Sequence, residues 1–115
     1  DLFPILAVLG SYSEGETVLT GEKLRYKESD RIENVGRNLK KMGVDIDELE
    51  DGITVRKSKL EGAKLDTRGD HRIAMALAIA ALGAEGKSEI RQSGCVNKSY
   101  PNFFEDLEKV IKNGR

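Results

Sequence analysis

The chain is poor in the residues that carry metal and redox chemistry. Cys95 is the only cysteine and His71 the only histidine among 115 residues, and tryptophan is absent. One cysteine excludes an internal disulfide framework and a cysteine-based zinc site, and one histidine excludes a multi-histidine metal site. A lone thiol fits a reducing compartment, so a cytoplasmic location is expected, with Cys95 a small inert thiol rather than a nucleophile. An excess of one charge is missing too: 19 basic against 20 acidic residues leave −1. General nucleic-acid or membrane-surface binders need a basic excess, so neither partner is expected and charge chemistry must be local. No apolar run approaches the ~20 residues of a membrane span. The chain opens at Asp1 with no initiator Met and no signal-like segment, in what already reads as helix. It is therefore expected to be a piece of a longer protein.

What is present centres on Gly69-Asp70-His71-Arg72-Ile73-Ala74-Met75-Ala76. Asp70 is a suitable N-cap, since its carboxylate can accept from the free amide hydrogens of a first turn. From Ile73 to Leu82 every residue is Ile, Ala, Met or Leu. A short helix apolar all round predicts a central helix buried on all sides. His71 and Arg72 stand at its positive end, where a cation is unfavourable unless it shares an anion with the helix or pairs with a carboxylate. Spacing alone leaves both readings open.

Around this stretch the chain predicts a helix over Leu2 to Ser13, with Asp1 a possible cap and Pro4 tolerable in the first turn. A strand follows over Glu16 to Thr20. Ile32, Val35, Leu39 and Met42 give one apolar stripe to a second helix from about Ser29 to Met42, closed by Gly43. Val44 and Ile46, then Ile53 and Val55, flank Asp51-Gly52 as a hairpin. Extended pieces are expected at Ala63 to Asp66 and Ser88 to Arg91. Pro101 opens a last helix, with Phe103, Phe104, Leu107, Val110 and Ile111 facing a core. Sliding the chain by 71 positions lays Leu6-Ala7-Val8 on Leu77-Ala78-Ile79, Glu14-Gly15 on Glu85-Gly86, Lys27 on Lys98 and Asp1 on Arg72. Such a repeat implies stacked copies of one unit that need neighbours to bury their cores. The chain then holds about one and two-thirds units.

Three helix starts carry cations: Lys27 and Arg31, His71 and Arg72, and Lys98. Helix N-termini with added cations suit phosphate and carboxylate ligands, although about a third of the chain is charged and chance alone places some cations there. Lys27-Glu28-Ser29-Asp30-Arg31 is the densest cluster. Lys27 and Arg31 are four apart and would share a side of a helix. Glu28, if partly buried, could hold a proton for general-acid work. The plain alternative is a capping group, with Ser29 as cap and Asp30 in the first turn.

Lys27-Glu28-Ser29-Asp30-Arg31 and Gly69-Asp70-His71-Arg72-Ile73-Ala74-Met75 resemble two motifs of the 5-enolpyruvylshikimate-3-phosphate synthase family. Cys95-Val96-Asn97-Lys98-Ser99-Tyr100-Pro101 resembles a third, and Phe103-Phe104-Glu105 continues the match. The resemblance runs from Asp1 to about Lys109 and implies an α/β fold. Residues 1–115 would be the C-terminal part of one domain in an inside-out α/β barrel built of repeated βαβαββ units. It implies transfer of the enolpyruvyl group of phosphoenolpyruvate to the 5-hydroxyl of shikimate 3-phosphate, with release of phosphate and no metal or organic cofactor. It implies roles by position: Asp1 as proton acceptor at the shikimate hydroxyls, Lys27 at the shikimate 3-phosphate, and Glu28 as the acid that protonates the methylene carbon. Arg31, Arg72 and Lys98 would hold the phosphoenolpyruvate phosphate and carboxylate, with His71 a hydrogen-bonding group beside them. Fixed cations around developing charge would supply much of the catalysis by preorganisation. Some members carry Asn where this chain has Lys23. An N-terminal domain of the same polypeptide would complete the site, so the isolated chain is expected to be inactive.

Two other readings compete. The UDP-N-acetylglucosamine enolpyruvyl transferase shares the fold but lacks the Lys-Glu-Ser-Asp-Arg and Asp-His-Arg combination. A non-catalytic anion-binding repeat module would gain nothing from Asp1 and Glu28 among its cations.

Overall fold

The computed structural model describes residues 2–27 and 29–91. Helix α1 spans Phe3–Tyr12, with Pro4 in its first turn, where a missing amide hydrogen costs no helical bond. The residue at its cap position is Leu2, which makes no side-chain capping bond. Strand β1, Glu16–Thr20, follows directly. A 3-10 turn, Leu24–Tyr26, leads to helix α2, Arg31–Lys41. The hairpin is β2, Asp45–Glu48, and β3, Gly52–Arg56; then come β4, Lys64–Asp66, helix α3, His71–Gly83, and β5, Glu89–Arg91. The expected last helix from Pro101, with Cys95 and Lys98, lies outside the described residues.

The strands form two sheets. The first is antiparallel in the order β1-β3-β2, with Glu16 opposite Arg56 and Thr20 opposite Gly52. Gly52 is required there, because a Cβ would come 1.9 Å from the Leu19 carbonyl oxygen. In the second sheet β4 and β5 pair in parallel, joined through α3 as a βαβ unit. Shifted by 71 positions, α1 falls on α3, and β1 overlaps β5.

The helices pack against the sheets. Ile32, Leu39 and Met42 of the α2 stripe meet Ile53 and Val55 of β3, Val8 of α1, and Ile73 and Leu77 of α3 in one continuous core. α1 packs on α3 through a tight approach, Tyr12 lying where a Gly83 side chain would stand.

Two expectations need correction. Ile73, Ala74, Ala76, Leu77, Ala78 and Ala80 of α3 are buried, but Met75 and Ile79 are 45% and 41% exposed. They line one open groove with Leu2, and Leu6 and Leu9 of α1 are exposed as well. Neighbours within the described residues cover only the other faces. The cap of α2 is Asp30, not Ser29: the Asp30 side chain accepts from the Glu33 N–H. Ser29 is drawn instead to a partner on another helix.

Candidate functional site

That partner is Asp70, where the N-termini of α2 and α3 meet. One oxygen of Asp70 caps α3, accepting from the N–H groups of Arg72 and Ile73 at 3.1 and 3.4 Å. The other accepts from Ser29 Oγ at 2.7 Å and from Arg31 Nε at 2.9 Å. Arg31 Nη2 adds a second contact at 3.3 Å to the capping oxygen. Both charges are buried, with Arg31 3% and Asp70 0% exposed. Burial alone would raise the Asp70 carboxyl. The Arg31 and Ser29 hydrogen bonds, the Arg31 charge and the Ile73 N–H together outweigh it and hold the group below the usual carboxylate range. A first-turn cation opposes the α2 dipole, and in Arg31 the paired carboxylate compensates it.

The turn that delivers Asp70 is held from the α2 side. Asn38 donates to the Asp66 carbonyl at 3.0 Å and accepts from the Asp66 N–H at 3.0 Å, so its amide acts as a strand neighbour for β4. Asn34 donates to the Thr67 carbonyl at 2.7 Å. Arg68 and Gly69 then both take left-handed backbone, φ 52° and 81°, which turns the chain into α3. Arg68 tolerates this with an Asx turn, its N–H donating to Asp66 Oδ1 at 2.9 Å. On the other flank Arg25 ties the α2 cap to the hairpin. It donates to Asp30 at 2.9 Å, Glu48 at 3.1 Å and the carbonyls of Glu50 and Leu49 at 2.8 and 2.7 Å. The hydrogen bonds it donates to Asp30 and Glu48 raise its guanidinium pKa.

Of the expected site residues, Arg31 is brought to the base of α3, while Lys27, His71 and Arg72 are exposed. Lys27 lies in extended backbone after the 3-10 turn, not on α2. Its four-residue spacing from Arg31 therefore does not place the two side chains one helical turn apart. His71 and Arg72 border an open groove of about 380 Å³ whose other walls include Leu2 just before α1, Pro4 and Ile5 of α1, and Met75 of α3. The first turns of α1 and α3 thus share one surface. Asp1, Glu28 and Lys98 lie outside the described residues. Among the described residues no group of three His, Cys, Asp or Glu side chains is placed to hold a metal ion. No helix among them is long and apolar enough to cross a membrane.

Residues 1–107 match the family model described as EPSP synthase (3-phosphoshikimate 1-carboxyvinyltransferase). The chain belongs to the EPSP synthase family. A 3-phosphoshikimate 1-carboxyvinyltransferase of Pyrococcus abyssi is 52% identical over 114 residues, covering 99% of this chain and 28% of the relative. One of Clostridium novyi is 51% identical over 112 residues, covering 96% of this chain and 26% of the relative. The solved EPSP synthase of Acinetobacter baumannii superposes with a TM-score of 0.77 at 38% identity, over 93% of this chain and 26% of that one. The chain thus spans about a quarter of the length of the EPSP synthases it matches, and its α/β architecture is part of theirs. These matches do not favour the UDP-sugar transferase reading.

Reasoning from the sequence missed three members of the cluster. Ser29 reads as a cap, and Asn34 and Asn38 stand beside the apolar stripe as ordinary polar positions. The available signal was two asparagines four apart, one helical turn, within a helix that also buries its apolar stripe.

Proposed function

We propose that the complete protein transfers the enolpyruvyl group of phosphoenolpyruvate to the 5-hydroxyl of shikimate 3-phosphate, releasing phosphate. The observation that carries this reading is the meeting of two family-motif stretches at one buried carboxylate, Asp70, in a chain matched by the EPSP synthase model. The junction holds the α3 N-terminus, with His71 and Arg72, beside Ser29 and Arg31. The exposed guanidinium of Arg72 there suits phosphate and carboxylate oxygens.

On this reading Arg31, Arg72 and Lys98 hold the phosphoenolpyruvate phosphate and carboxylate, with His71 hydrogen-bonding beside them. Lys27 contacts the phosphate of shikimate 3-phosphate. Asp1 accepts the proton of the attacking hydroxyl, and Glu28 protonates the methylene carbon. The carbon–oxygen bond to shikimate forms at the neighbouring carbon, the one that bears the phosphate, while the methylene carbon becomes a methyl group. Loss of phosphate and of the added proton then restores the double bond. Residues 1–115 form the C-terminal part of one domain, about one and two-thirds repeat units. An N-terminal domain of the same polypeptide supplies the rest of the site in a cytoplasmic enzyme.

The test is phosphate release from both substrates. The complete protein should turn over, and Glu28→Gln and Arg72→Ala should each lower kcat/KM by at least about 100-fold. The isolated 115-residue chain should release none. Full activity of the complete Glu28→Gln variant, or steady turnover by the isolated chain, would remove this assignment of parts.

A further inference from the structure

Asn34 is 1% exposed, and all four hydrogen-bonding positions of its side-chain amide are used. The amide nitrogen donates to Ser29 Oγ at 3.1 Å and to the Thr67 carbonyl at 2.7 Å. The amide oxygen accepts from Asn38 at 2.8 Å and from Arg37 Nη2 at 2.9 Å. Both neighbours on the oxygen side are donors, so the orientation of the amide is determined and its nitrogen must face Ser29.

A serine hydroxyl has one hydrogen. Because Asn34 donates to Ser29 Oγ, that hydrogen is left for Asp70, which receives it at 2.7 Å on the oxygen bonded to Arg31 Nε. We infer that Asn34 is a positioning residue for the anion clamp, setting the Ser29 hydroxyl and through it the Asp70–Arg31 pair between the two helix N-termini. Arg31 leans on the same Asp70 oxygen that Ser29 supports. Asn34 also holds the Thr67 carbonyl, three residues before Asp70, so one side chain grips both strands of the junction. A buried, fully satisfied amide transmits orientation because any rotation strands several groups at once.

The inference rests on the proposed role of Arg31 at phosphoenolpyruvate, and its test is made on the complete protein. Asn34→Ala should raise the KM for phosphoenolpyruvate about tenfold and leave the KM for shikimate 3-phosphate within about twofold. The same substitution in a Ser29→Ala background should raise it far less, because the relay is already cut. A purely structural role would lower Tm and the active fraction while leaving both KM values unchanged, and that result would overturn the inference. If Asn34→Ala does not fold, Ser29→Ala alone decides: a raised phosphoenolpyruvate KM supports the relay and an unchanged one refutes it. A wild-type protein that does not turn over these substrates would instead refute the proposed function, which separates the two failures.

Discussion

Asp70 carries the heaviest electrostatic load of any residue in the junction. It caps one helix and neutralises a buried arginine on another. Removing one member of a buried pair leaves the other charge uncompensated, so Asp70→Asn should cost about 3 kcal/mol or more, read from urea denaturation at neutral pH. Its native pKa is depressed, so the stabilisation is fully present above about pH 4, where the unfolded aspartate is ionised. It is lost as pH falls through the native value. The acid limb of the stability curve should flatten in Asp70→Asn. Lys23 is a second informative position. Its φ is 63°, a left-handed conformation that Asn visits more readily than Lys. Lys23→Asn should stabilise by roughly 0.5 kcal/mol, measured as a rise in Tm.

Among the elements, helix periodicity was readable because it depends on near neighbours. The α2 stripe of Ile32, Val35, Leu39 and Met42 is the buried face, and the hairpin pairs where Asp51-Gly52 breaks the alternation. What periodicity could not show is that α2 buries a second, polar face. Asn34 and Asn38 bond to the backbone of Asp66 and Thr67, and nothing in their spacing names a partner 28 to 33 residues away. Gly52 marks the limit of tolerance in the first sheet. Gly52→Val would drive a side chain into the β1 backbone and should cost about 1–3 kcal/mol, with amide exchange rising first across the β1–β3 pairing. At the α1–α3 crossing, burial raises the Tyr12 hydroxyl pKa. A Gly83 Cβ would meet the Tyr12 oxygen at 2.0 Å.

The molecule has two unlike surfaces on its helices. The faces packed on the sheets are closed, while Leu2, Leu6, Leu9, Met75 and Ile79 are exposed, and Leu2, Met75 and Ile79 line one groove. An exposed apolar face of this kind is usually an interface. In the proposed reading the rest of the polypeptide covers it. The isolated chain should therefore self-associate in sedimentation experiments, and Leu9→Lys with Met75→Lys should make it more monomeric. In the complete protein the same pair should destabilise. His71 and Arg72 border the groove on this face, so covering it would also enclose the candidate site.

Local order was present in the residues themselves. The apolar period of α2, the Asp70 cap of α3, the hairpin and the two charged motifs all depend on contacts within a few positions. They survive whatever surrounds them. The fate of the buried charges was not local. Arg31 and Asp70 are 39 positions apart, and each alone reads as an ordinary helix-start residue. Only packing α2 against the β4–α3 turn removes both from water, and a desolvated charge must then find a hydrogen-bonded counter-charge. The tertiary fold thus made Arg31 and Asp70 one unit and set Ser29 and Asn34 around it, while His71 and Arg72 remained at the surface.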